Sequence, residues 1–158
     1  MTVAPGRPAS AVRVGMRASV LSAKEIEQVL REEFPQRFHD ESGLTIEEVG
    51  YGTCRVRRAY HANLIRPGGT ISGPTMMELA DFAMYVAVFS ALGRVPLAVT
   101  INLNINFLRK PGQADLIAET RLMKIGKRLV VGEVTMRSDG EEDAVAHVTS
   151  TYSVPPGQ

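Results

Sequence analysis

From residue 22 onward the apolar positions change period several times, and each change marks an element. In SAKEIEQVLREEF, Ile26, Val29, Leu30 and Phe34 recur at helical spacing before Pro35, and Ser22 with Glu25 three residues later forms a capping box. The pattern predicts a short amphipathic helix. LTIEEV and TCRVRRAY flank a GYG in which Gly50 and Gly52 permit a tight connection, and they read as two strands. HANLIRPGG reads as a loop from its Pro and Gly content. PTMMELADFAMYVAVFSAL is apolar on nearly every side and closes at Gly93, the position of a C-terminal cap. It predicts a long helix in the middle of the protein. From residue 97 four strands follow, LAVTINLNINFL, DLIAETRLMKIG, RLVVGEVTMRS and DAVAHVTSTYSV, separated by KPGQA, GK and DGEE. The first alternates strictly, with Ile101, Leu103, Ile105 and Phe107 on one face and Thr100, Asn102, Asn104 and Asn106 on the other. Strands, one central helix and four further strands describe an α+β architecture, a sheet wrapped around a helix.

Composition narrows the picture. A chain of 158 residues with 44% hydrophobic content holds one well-buried core, so residues 21–158 read as a single domain behind a loosely ordered arm of residues 1–20. Its formal net charge of +1, from 18 basic and 17 acidic residues, supplies no general field for nucleic acid or an anionic membrane. No uninterrupted apolar run reaches membrane-spanning length. A single cysteine, Cys54, has neither a disulfide partner nor a CxxC neighbour, which points to a reducing compartment, the cytoplasm. His39 and His147 show no ligand spacing with Cys54 or a carboxylate cluster, so no metal is expected.

Residues from about 44 to 153 resemble the hotdog-fold acyl-CoA thioesterases of the phenylacetate-pathway (PaaI-like) type. The likeness rests on Asn63 in HANL, Gly69 in GGTI, Leu79-Ala80-Asp81 in ELAD, the strand TINLNINFLRKP, the GK turn and the ending AHVTSTY. It implies a hotdog fold, with the antiparallel sheet wrapped around a long central helix. It also implies hydrolysis of an acyl-CoA to free acid and CoA, without a metal or redox cofactor, by a homodimer or homotetramer with shared sites. This chain departs from the family's His-Gly-Gly step, carrying Ser72, Gly73 and Pro74 there, and its loop between Asn63 and Ser72 is longer.

Asp81 is the candidate base or nucleophile, against the alternative of a structural carboxylate satisfied by backbone amides. Ser72 fits a helix N-cap and Pro74 the first turn, leaving amides around Gly73 as an oxyanion hole. Glu78, one turn before Asp81, either serves as the base instead or, the preferred reading, faces the rim and is solvated. Asn63 either orients water or pins its own loop, and nearby His61 reads as satisfying local backbone. Thr100 matches the family position for a hydroxyl that assists the carboxylate, yet the alternation puts it with the asparagines. Either a bulge reorients it or its role is not catalytic. Gly69 follows the resemblance. Met76, Met77, Met84 and Phe82 read as core, with Met77 and Phe82 also candidates for an acyl pocket. Arg109, Lys110, Lys127 and Arg128 are candidates for the CoA phosphates, or are ordinary basic turns. Two other classes stay open, a non-hydrolysing acyl-CoA binding protein, favoured by the Ser-Gly-Pro step, and a hotdog hydratase or dehydratase.

Overall fold

The computed structural model describes residues 17–157. Most of the expected N-terminal arm therefore lies outside the described residues. Ser22 caps the first helix, α1 (Ala23–Glu33), accepting from the Glu25 amide while Glu25 accepts from the Ser22 amide at 2.7 Å. Its apolar stripe of Ile26, Val29 and Leu30 is buried, and the chain leaves the helix at Phe34, as a residue before proline must. Strands β1 (Leu44–Gly50) and β2 (Thr53–Arg58) form a hairpin whose turn uses Gly52 at φ 67°, a conformation that favours glycine. The HANL segment is not plain loop but a single 3-10 turn, Ala62–Leu64, followed by an antiparallel bridge between Ile65 and Ile71.

Helix α2 (Gly73–Leu92) is followed by β3 (Val99–Phe107), β4 (Leu116–Ile125), β5 (Leu129–Ser138) and β6 (Ala144–Ser153). All six strands join one sheet in the order β1-β2-β4-β5-β6-β3, and every pairing is antiparallel. This is the hotdog arrangement: α2 lies against all six strands and α1 closes the β1 end. By length and composition α2 could cross a membrane, but 72% of its apolar window is buried inside the fold, as befits a core helix. Met84, Val86, Val88 and Phe89 are fully buried, and Gly132 on β5 leaves the space into which Met84 packs: a Cβ there would lie 2.7 Å from its sulfur.

The strict alternation expected of β3 is broken. Thr100 pairs with Tyr152 and Asn102 with Thr151, so Ile101 is an extra residue, a β-bulge. The parity of the strand therefore changes at this point. Leu103, Ile105 and Phe107 keep the inner face as expected, but Ile101 is 57% exposed and Thr100 joins the inner face in its place. An edge strand tolerates this because only one of its sides is hydrogen-bonded.

One buried polar group ties the helix to the hairpin. Ser90, fully buried on α2, accepts from the Gly52 amide at 2.9 Å and donates to the Ala87 carbonyl at 2.6 Å. Ser90→Ala removes the acceptor and leaves a buried N–H unpaired. We expect it to lower the free energy of unfolding by about 1–3 kcal/mol, read as a lower urea midpoint at unchanged slope.

Candidate active site

Two groups of polar atoms are set along α2, one at its start and one two turns in. At the start, Ser72 has the extended backbone of an N-cap, and its hydroxyl lies 3.4 Å from the Thr75 amide and 2.9 Å from the Thr75 hydroxyl. Met76 returns its amide to the Ser72 carbonyl, and Pro74 has no N–H, so the Gly73 amide is left as the free donor of the first turn. Phe107 covers this glycine, its ring edge 3.2 Å from where a Cβ would sit. The Ser72 amide donates to the Leu64 carbonyl at 2.9 Å, which brings the Asn63 turn to the same end of the helix. Asn63 is exposed there, and its amide donates to His61 Nδ1 at 3.1 Å. That is the local backbone role read for His61.

Asp81 sits two turns further on, partly buried. Its Oδ1 accepts from the Thr100 hydroxyl and from the Tyr152 hydroxyl at 2.8 Å. The β3 bulge is what makes the first contact available, because it turns Thr100 inward opposite Tyr152. Burial, reinforced by the Asp81 charge, pushes the Tyr152 phenol well above the usual tyrosine range, so it remains a donor. Glu78, exposed on the rim as expected, is ion-paired with Arg37.

A cavity of about 340 Å³ opens beside Asp81. Thr100 and Tyr152 line it, together with the rings of Phe34, Phe82 and Tyr85 and the apolar Pro96, Ala98 and Val99. Tyr85 and Tyr152 stack with centroids 6.1 Å apart, and the Tyr85 hydroxyl is tied to the Pro96 carbonyl at 2.6 Å. Glu33, Arg37 and Glu78 supply a charged rim. The arrangement sets the Asp81 carboxylate beside aromatic and apolar side chains beneath a charged rim, a mixed wall that can receive an acyl group.

Not all the sequence candidates meet here. Asp81, Thr100 and Phe82 line the cavity; Gly69, Asn63, Ser72 and Gly73 lie at or just before the start of α2. Eight residues separate Gly73 from Asp81, about 12 Å along the helix axis. Met76 and Met84 are core, and Met77 is exposed outside the cavity. Arg109 and Lys110 follow the Phe107 end of β3, whereas Lys127 and Arg128 lie in the β4–β5 turn beside Ser153 and Val99, at the opposite end. Within one chain the four basic residues do not form one patch. Among the described residues, no three His, Cys, Asp or Glu side chains group so as to hold a metal ion. Sequence reasoning gave Tyr152 no role. The available signal was its place on the inner face with Val148 and Ser150, where a buried tyrosine must find a partner for its hydroxyl.

Comparison with known proteins bears on the family and the fold. Residues 68–145 match the model of the thioesterase superfamily. A candidate thioesterase of known structure from Silicibacter sp. TM1040 is 38% identical, with a TM-score of 0.79 over 90% of this chain and 97% of that one. A candidate esterase of Saccharolobus solfataricus is 30% identical over 85% of this chain and 87% of its own length. The structure of an Asn-to-Asp variant of the phenylacetic acid degradation protein PaaI from Thermus thermophilus is 25% identical, with a TM-score of 0.63 over 72% of this chain and 94% of that one.

Cys54 is remote from this chemistry. It is buried on β2 with its thiol directed to the Ala83 carbonyl at 3.1 Å, and burial pushes its pKa up to about 12. At pH 8 the native protein is therefore expected to show no fast reaction with a disulfide thiol reagent and to titrate one thiol once unfolded in urea. Rapid labelling of the native chain would show that the thiol is accessible.

Proposed function

The chain belongs to the thioesterase superfamily, and on that premise we propose that it hydrolyses acyl-CoA thioesters to the free acid and CoA without a metal or redox cofactor. The observation that carries the reading is the Asp81 carboxylate, held through one oxygen by two hydroxyls at the wall of an aromatic cavity. Asp81 acts as general base on a water, or as nucleophile. In the first route water adds to the thioester carbonyl as Asp81 takes its proton. The tetrahedral intermediate then collapses, and CoA leaves as the thiolate, which is reprotonated. The developing oxyanion needs donors about 3 Å away. Gly73 of the same chain is about 12 Å from Asp81 along the helix and cannot serve.

A second copy removes that difficulty. β3 is an edge strand that exposes Val99, Ile101 and Phe107, and such an edge invites pairing. Asp81 bonds Thr100 at one end of β3, while Gly73 lies under Phe107 at the other. Pairing two β3 strands antiparallel about a two-fold axis near Leu103 sets Asp81 of one chain opposite Gly73, Ser72, Gly69 and Asn63 of its mate. The same axis brings Arg109 and Lys110 of one chain to the end of the joined sheet that carries Lys127 and Arg128 of the other, a divided cradle for CoA phosphates. The proposal is a homodimer with two shared sites, or a tetramer of such pairs, acting in the cytoplasm.

The test is release of free thiol from a panel of aliphatic and aromatic acyl-CoAs. Turnover of at least one member is expected, with Asp81→Asn lowering kcat by roughly 10²–10⁴-fold and Glu78→Gln leaving it within a few fold. Binding without release from any member would instead assign a carrier, and comparable loss in Glu78→Gln alone would move the base to Glu78.

A further inference from the structure

Hydrolysis at Asp81, assisted by Thr100, leaves Tyr152 without a role. Tyr152 is 2% exposed, and its hydroxyl lies 2.8 Å from Asp81 Oδ1 and 2.9 Å from the Asp81 carbonyl. A phenol has one proton, and between these two acceptors the charged oxygen is the stronger. Thr100 donates to the same Oδ1, so both hydroxyls fix one oxygen. Among the described residues, Oδ2 has no protein donor.

We propose that Tyr152 is a positioning residue: its hydroxyl, with that of Thr100, clamps Oδ1 of Asp81, holds the carboxyl in one rotamer, and leaves Oδ2 as the reacting oxygen. The use of that oxygen in hydrolysis rests on the thioesterase reading; the clamp itself does not. The fold builds the clamp as a unit. Thr100 and Tyr152 are cross-strand partners beside the bulge: the regular alternation of β6 turns Tyr152 toward α2, and the bulge turns Thr100 the same way. Tyr152 is further locked by stacking on Tyr85, whose own hydroxyl is committed to the Pro96 carbonyl. The other charged groups around the cavity are engaged elsewhere, Glu78 with Arg37 and Glu33 with Arg94. None of them competes for Asp81.

Tyr152→Phe deletes the hydroxyl and keeps the ring. With an acyl-CoA that the parent chain hydrolyses, it is expected to lower kcat by about ten- to a hundredfold while KM changes by less than about threefold. Thr100→Val should likewise lower kcat with KM little changed. A merely structural tyrosine would leave kcat per folded molecule unchanged, and that result overturns the proposal.

A second measurement needs no turnover. In a urea-unfolding double-mutant cycle, Tyr152→Phe is expected to reduce the folding equilibrium constant at least fivefold more in the parent chain than in Asp81→Ala. Additive effects would show that the hydroxyl and carboxylate are not coupled and would remove the clamp. A non-additive cycle in a protein that hydrolyses no acyl-CoA would retain the clamp and refute the thioesterase reading instead.

Discussion

A twenty-residue helix with almost no polar face has to be enclosed, and the rest of this molecule is arranged around that requirement. All six strands pack on α2, α1 closes one end, and Gly132 makes room for Met84. Three of the polar groups carried into that interior are matched, whereas Thr120 Oγ1 and Ser138 Oγ are buried without a hydrogen-bond partner among the described residues. Ser90 is spent on the hairpin turn, the Cys54 thiol on a carbonyl, and Asp81 on two hydroxyls. A carboxylate in such a place is costly unless hydrogen-bonded, so the two hydroxyls both stabilise Asp81 and fix its position, the position from which the proposed hydrolysis would start.

The helix also distributes the chemistry. Its first turn, with Pro74 lacking an N–H and Ser72 occupied by Thr75, presents one backbone donor; its third turn presents one carboxylate. A rigid α-helix keeps them apart, and the edge strand carries the same polarity, Thr100 at one end and Phe107 at the other. Two-fold symmetry is the simplest operation that brings unlike ends together.

Most elements were legible because their periods are strong. The capping box at Ser22, the apolar run to Gly93 and the turn residues between the last four strands each have a local cause, and the structure places the elements there. The resemblance carried by ELAD and the strand after the helix correctly implied the hotdog fold. The alternation of TINLNINF carries no mark of the bulge, which the sequence offered only as one way to reconcile Thr100 with its face, and pairing with β6 shows that Ile101 is surplus. The contact between Thr100 and Asp81 therefore needed tertiary information, although the conflict over Thr100's face pointed to the place. Tyr152 was missed because its partner lies 71 residues away in sequence. The cavity wall contributed by Phe34 and Arg37 was hidden likewise, since an amphipathic stripe tells which side of a helix is buried and not what its last residues border.

The distance between Gly73 and Asp81 has a genetic consequence. In a pair that shares its sites across the two-fold axis, each centre takes its carboxylate from one chain and its backbone donor from the other. A chain damaged at Asp81 and a chain damaged near Gly73 then concentrate both defects in one centre when they associate and leave the other centre whole. Two separately inactive alleles can complement one another, and a single defective allele does not poison its sound neighbour.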